Sequence, residues 1–272
     1  CGLALMYELL YVAASSRLPI VLAVSTRALS GPININNDHS DSMGARDAGW
    51  IQIYAENNQE VYDNYVQAFP VAEAVRLPVM ICMDGFITSH AVENIELLED
   101  GEVKNFVGEY HPEHSLLKAG ETMAVGPYDV THYYFEHKKQ EAEAMKDAKQ
   151  AILDQGKRFG QQFGRTYGFF EVDQLRAQGK KVGLIKLRVF RPFPAEELAQ
   201  ALSHCKAVAV MDKSEGFSSC GGPIFAETRS ALYDLEQRPK LINVVYGLGG
   251  RDVSTGDIAA LYQRLEHIAE TG

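Results

Sequence analysis

Apolar positions at helical spacing open the chain. Leu3, Met6, Leu9, Leu10 and Ala13 predict a helix over 2–15. The run from Pro19 to Val24 is continuously apolar and partly β-branched, as in a parallel strand buried on both faces. Residues 25–42 are rich in Gly, Pro, Asn, Asp and Ser and read as loop. Ile51 to Tyr54 is a short strand. Asn57-Asn58 caps a helix to about Ala74, with Glu60 early in it and Arg76 just past its end. Val79 to Met83 is a second buried strand, followed by a loop from Asp84 to His90. Residues from Ile95 to Val130 have no clean period and are broken by His111, Pro112, Gly120 and Pro127. They predict an irregular excursion wrapped on a partner or on the core. Phe135 to Phe163 carries an apolar stripe at helical spacing and predicts a long helix connecting two domains.

A second alternation follows. Lys181 to Val189 reads as a strand, and Pro194-Ala195-Glu196-Glu197 as the first turn of a helix, with its carboxylates where the helix dipole favours them. Ala207 to Met211 is a strand, Gly222 to Tyr233 mostly helix, and Leu241 to Val245 a strand. Gly247-Leu248-Gly249-Gly250 turns the chain, and Thr255 to Ala269 is the last helix. Strands alternating with helices predict the α/β class, with doubly wound parallel sheets.

Composition narrows the functions. The 272 residues are 46% hydrophobic and 23% charged, which allows two domains of ordinary globular type. The net charge of -10, with only the small basic spots Lys138-Lys139 and Lys180-Lys181, argues against nucleic acid as a partner. No run reaches the roughly 20 apolar residues of a spanning helix, so no membrane partner is expected. Cysteines at 1, 82, 205 and 220 are too scattered for a zinc site or an iron–sulfur cluster and fit a reducing cytoplasm. No signal peptide is visible, and a start at Cys1-Gly2-Leu3 reads as that of a fragment.

In open α/β sheets, ligands meet the loops at the carboxyl ends of strands. Two polar loops stand there. Arg27 lies three residues past a buried strand, where its planar fork suits a carboxylate or phosphate. Pairing with Asp38, Asp41 or Asp84 to brace the loops is the commoner use of such an Arg. Asp38, His39 and Asp41 contain metal-ligand types, but no matching set lies nearby and loop bracing is the commoner role, so no metal is expected. Asp84 and His90 resemble a hydrolase pair without any G-x-S-x-G elbow, which excludes that chemistry. Gly247, Gly249 and Gly250 mimic a dinucleotide fingerprint whose third glycine is replaced by Asp252; a tight turn is the simpler reading. Neither a P-loop nor the G-D-G motif of thiamine enzymes is present.

Longer motifs carry a resemblance. Gly2-Leu3-Ala4-Leu5-Met6-x-Glu8 is followed by Arg27-Ala28-Leu29-Ser30-x-Pro32-Ile33-Asn34-Ile35, then Asp38-His39-x-Asp41 and Arg46-Asp47-x-Gly49-Trp50. Further on come Asp84-Gly85-Phe86-x-x-Ser89-His90, Phe163-Gly164-Arg165-x-Tyr167, the run Val182 to Pro194, and Tyr246-Gly247-Leu248-Gly249-Gly250. In this order they resemble the α subunits of the pyruvate:ferredoxin oxidoreductase family.

The resemblance implies a pyrimidine-binding-type domain over 1–130, a helical connector over 131–171 and a transketolase C-terminal-like domain over 172–272. It implies thiamine diphosphate at an interface with a β subunit that holds the diphosphate and magnesium, [4Fe-4S] clusters in partner subunits, coenzyme A as acyl acceptor, and ferredoxin. The reaction implied is oxidative decarboxylation of a 2-oxoacid, pyruvate first, with branched-chain 2-oxoacids or oxalate as alternatives. A non-catalytic scaffold and a nucleotide-binding protein are the alternatives of other classes. Arg27 takes the family's substrate-carboxylate role, with Asp38, His39, Asp41, Arg46, Asp84 and His90 supporting the site loops. The cofactor-activating Glu would precede Cys1. Phe169-Phe170-Glu171 runs straight into Val172, where the family has an extra strand and loop leading into a helix. The second domain is therefore expected to lack its first strand.

Overall fold

The computed structural model describes residues 2–126, 128–175, 182–218 and 220–271. Its apolar runs become strands because both faces are covered. Strands β1 (Val21–Thr26), β2 (Ile51–Ala55) and β3 (Val79–Asp84) lie parallel, β3 in the middle, with Val21 opposite Val79 and Ile51 opposite Val79. On one face, Ile51, Ile53, Val79 and Ile81 pack on Ala68, Val71 and Ala72 of α4 (Asn58–Val75) and on Ala144, Ala148 and Ile152 of α6 (Tyr134–Phe163). On the other, Met80 and Cys82 meet Trp50 and Leu10 of α2 (Tyr7–Ser15). Alternate residues of one strand thus face two separate cores, which explains the lack of polar alternation. The expected helix over 2–15 is interrupted at Met6, between α1 (Gly2–Leu5) and α2. Strand β1 is only half-buried, because among the described strands it lies at the sheet edge.

Local signals held where they had a mechanism. Asn57 caps α4, its side chain accepting from Glu60 N at 2.8 Å, while Glu60 Oε2 accepts from Glu56 N at 3.0 Å. Arg76 ends the helix in the left-handed conformation (φ 50°).

Three expectations change. The excursion after Ile95 contains a helix, α5 (Asp100–Val107), held by fully buried Phe106 against Phe159. Helix α6 packs its apolar stripe on the first core. Residues Phe170–Leu175 form a strand, β4, antiparallel to β5 (Val182–Leu187), at the point where the resemblance implied that a strand was missing and that Val172 led into a helix. The continuation over 176–181, including Lys181, lies outside the described residues. Finally, the strand expected to end at Val189 breaks at Arg188. Its tail, β6 (Val189–Arg191), turns away and joins the first sheet antiparallel to β2. The α/β reading stands, with an antiparallel edge added to a parallel sheet.

Beyond β6, α7 (Ala195–Leu202) and α8 (Pro223–Ala231) bury Leu198, Ala199, Leu202 and Leu232 beside β7 (Ala207–Asp212) and β8 (Lys240–Val245). These two strands are parallel, Ala207 opposite Lys240, and α9 (Thr255–Thr271) follows.

Candidate functional site

The carboxyl ends of β1, β3, β7 and β8 converge, and their loops interlock. Asp41 braces the loop after β1 through the backbone, accepting from Arg27 N at 3.0 Å and from Ser42 N at 2.6 Å. Burial raises the Asp41 pKa against the pull of those two amides. Ala28 N donates to Asn36 O at 3.0 Å and Leu29 N to Ser40 Oγ at 3.1 Å, which folds residues 28–40 back on themselves. Arg27 stands half-buried at the root of this loop. Short helix α3 (Ser40–Gly44) begins where loop was expected; Gln52 Nε2 and Tyr54 OH fix Ser42 from β2, each at 2.9 Å.

The centre of the cluster is Asp84, the last residue of β3. Its Oδ1 lies 3.1 Å from His39 Nε2, and its Oδ2 accepts from Lys213 Nζ at 2.6 Å. Burial pushes the Asp84 carboxyl up, but hydrogen bonds and charge from His39 and Lys213 outweigh it and bring it down to about 2. The next residue must be small: a Cβ on Gly85 would stand 2.5 Å from Thr26 O. Phe86 then adopts a positive φ of 64° and stacks on His90, ring centroids 4.4 Å apart.

The second half of the chain supplies the other wall. Lys213 O accepts from His39 N at 2.9 Å. Gly249 N donates to Asp38 Oδ2 at 3.2 Å, while Gly249 O accepts from Asn34 and Asn36, both at 3.2 Å. Asp212, at the end of β7, accepts from the first-turn amides of α8, Ile224 N at 2.8 Å and Phe225 N at 3.0 Å, and burial raises its pKa despite them.

The structure thus unites Asp38, His39, Asp41 and Asp84 with the Arg27 loop. Arg46 is left out: it pairs with Asp47 at 3.6 Å and donates to Met43 O. His90 is also outside the Asp84 cluster, bonded to Ser89 Oγ at 2.8 Å. Sequence reasoning missed Lys213 and gave Gly249 no role beyond a turn. The strand-end rule that found Arg27 also marks Lys213, which directly follows β7.

The dinucleotide alternative fails on geometry. The Gly249 amide is taken by Asp38, and the α8 amides by Asp212. Among the described residues, neither glycine-rich turn keeps these amides for a phosphate. A buried donor, Asn37 Nδ2, has no acceptor, the kind of group that a carboxylate or carbonyl would satisfy. Asn37 stands in the Arg27 loop, so an unmet donor lies on that wall of the cluster, while the amides at the two turns are already taken from within the chain. Exposed Leu29, Ile33, Ile35 and Ile87 line the same loops.

Comparison with known proteins shows the family. Residues 1–156 match the family model described as pyruvate flavodoxin/ferredoxin oxidoreductase, thiamine diphosphate-binding. Residues 168–258 match the model for pyruvate:ferredoxin oxidoreductase core domain II. The chain belongs to the 2-oxoacid:ferredoxin oxidoreductase family. It is 46% identical to the pyruvate synthase subunit PorA of Thermotoga maritima, over 96% of this chain and 73% of that one. Identity to PorA of Methanocaldococcus jannaschii is 40%, over 97% and 74%. The ketoisovalerate oxidoreductase subunit VorA of Pyrococcus furiosus is 39% identical, over 100% of this chain and 75% of its own length. A solved 2-oxoglutarate:ferredoxin oxidoreductase from Magnetococcus marinus, with 2-oxoglutarate, coenzyme A and succinyl-CoA bound, shares the fold at TM-score 0.62 and 15% identity; the match covers 99% of this chain and 52% of that one. The VorA alignment runs over 296 positions against 272 residues here, so at least some two dozen positions of that alignment have no counterpart in this oxidoreductase chain. Among the described residues, no helix is long and apolar enough to cross a membrane.

Proposed function

We propose that this chain is the α-type subunit of an enzyme that oxidatively decarboxylates pyruvate, passing the acyl group to coenzyme A and the electrons to ferredoxin in the cytoplasm. The reading rests on Arg27, a guanidinium rooted at the carboxyl end of β1 in a loop whose backbone is pinned by Asp41. Such an Arg offers two parallel donors to a 2-oxoacid carboxylate, and pinning its backbone lowers the ordering cost of that contact. Asn37, with its unmet donor, lies in the same loop. Thiamine diphosphate, when bound, supplies the electron sink for decarboxylation. The role of this chain is to bind and orient the carboxylate and to offer an apolar rim through Leu29, Ile33 and Ile35. A β subunit would hold the diphosphate and magnesium, and iron–sulfur subunits would carry the electrons onward. The domain organisation proposed keeps the expected division into 1–130, 131–171 and 172–272, with 131–171 packed on the first domain and β6 returning to its sheet. Branched-chain 2-oxoacids are the second reading, supported by the VorA relatives.

Arg27→Ala in the assembled enzyme tests this. Losing a charged bidentate contact costs about 3 kcal/mol, so kcat/KM for pyruvate should fall about 100-fold while thiamine diphosphate affinity is unchanged. Unchanged kinetics would defeat the assignment, and a faster reaction with a branched-chain 2-oxoacid than with pyruvate would favour the second reading.

A further inference from the structure

We propose that Lys213, from the second half of the chain, is a positioning residue that sets the conformation of the substrate loop. The inference rests on the reading of Arg27 as the carboxylate ligand. Lys213 acts on the loop through two atoms, one directly and one by way of Asp84. Its ammonium donates to Asp84 Oδ2 at 2.6 Å, and Asp84 holds the His39 ring through its other oxygen at 3.1 Å. Its carbonyl accepts from His39 N at 2.9 Å. His39 is thereby fixed by backbone and side chain together, two residues before Asp41, whose carboxylate holds Arg27 N at 3.0 Å. The Lys213 side chain is only 15% exposed, and its stem packs beside Gly247, where a Cβ would come within 3.2 Å of Cε. A charge so enclosed, with a short bond to a carboxylate, is fixed rather than mobile.

Gly249 is a separate anchor for the same loop, through Asn34, Asn36 and Asp38. Its positive φ of 61° and the closeness of Asn34 Nδ2, 2.3 Å from where a Cβ would stand, explain the glycine at this turn. With this anchor intact, loss of Lys213 should loosen the His39 end of the loop and leave the Asn34–Asn36 end attached. Arg27 would still be present, but held in one geometry for less of the time. The expected cost is in substrate binding rather than in the chemical step.

The test uses the assembled enzyme with Lys213→Met, the milder Lys213→Gln and the charge-preserving Lys213→Arg. For Met and Gln, KM for pyruvate should rise about 10-fold with kcat within about 3-fold of wild type; Arg should restore KM to within about 3-fold. Backbone amide exchange over 37–41 should quicken in Met and Gln, that over 33–36 much less, and that over 51–55 not at all. If Met fails to assemble, Gln carries the comparison. Wild-type KM and exchange in the neutral variants would overturn the proposal, as would a raised KM without faster exchange at 37–41. A loosened loop alongside normal kinetics in Arg27→Ala would instead overturn the Arg27 reading and leave Lys213 as the loop's anchor.

Discussion

Replacing Asp84 by Asn probes the centre of the site with a definite sign. Asp84 sits between His39 and Lys213, with side-chain exposures of 20%, 19% and 15%, so solvent screens it weakly. A carboxyl held at about 2 instead of the ordinary 3.8 contributes roughly 2 kcal/mol to folding. Because the folded pKa is depressed, that contribution is complete above about pH 4 and fades as pH falls through about 2. Asn keeps the size and one acceptor but removes the charge, leaving Lys213 facing a neutral oxygen. At pH 7, Asp84→Asn should lower stability by about 2 kcal/mol, a drop in melting temperature of roughly 5 °C. Scanning calorimetry of the assembled enzyme, wild type against variant, at pH 7, 5 and 3.5 reads this directly. The gap should be present at pH 7 and at pH 5 and be narrower at 3.5 than at 5. No gap at pH 7, or one wider at pH 3.5 than at pH 5, would refute the argument that Lys213 and His39 hold the Asp84 pKa down.

Two further outcomes test the packing that carries the site. Ala at a helical Gly normally stabilises by about 1 kcal/mol, but a Cβ on Gly156 of α6 would stand 2.0 Å from Tyr167 O, so Gly156→Ala should destabilise by about 2 kcal/mol or more in urea denaturation. Asn57→Ala removes the α4 cap and should cost about 1 kcal/mol, with faster amide exchange confined to the first turn of that helix.

The sequence was most legible where one residue carries a local mechanism. The Asn57 cap, the Arg76 terminus and the apolar run at Val79 needed no tertiary knowledge. Helix α5 was hidden because its stabilising contact, Phe106 on Phe159, joins residues far apart in the chain. The departure of β6 was hidden because Val189 to Arg191 has the same apolar pattern whether it extends β5 or crosses to β2. In the site, strand ends pointed to Arg27 and Asp84, but pairing partners follow from topology. Lys213 reaches Asp84 across 129 positions. Several motifs behind the family resemblance are architectural. Arg165 and Tyr167 both bond buried Asp63, with contacts between 2.6 and 3.0 Å. Arg188 clasps Asn64 and Gly168 O, and burial lowers its pKa to about 10. Arg191 pairs with Glu227 at 2.6 Å. Asp38, His39 and Asp41, by contrast, all meet in the cluster.

Strand β6 has a practical meaning for anyone dividing this protein. It covers the flank of β2, with Val189 opposite Ile53 and Arg191 opposite Gln52. Expressed without the segment after 188, the amino-terminal half would offer a row of unpaired amides and carbonyls beside the wholly buried Gln52 and Ile51. Such a bare flank is a template for another copy of itself, so a truncated product is expected to stick together rather than stay monomeric. The three residues of β6 act as a seal, and a cut that respects the sheet rather than the order of motifs belongs after Arg191.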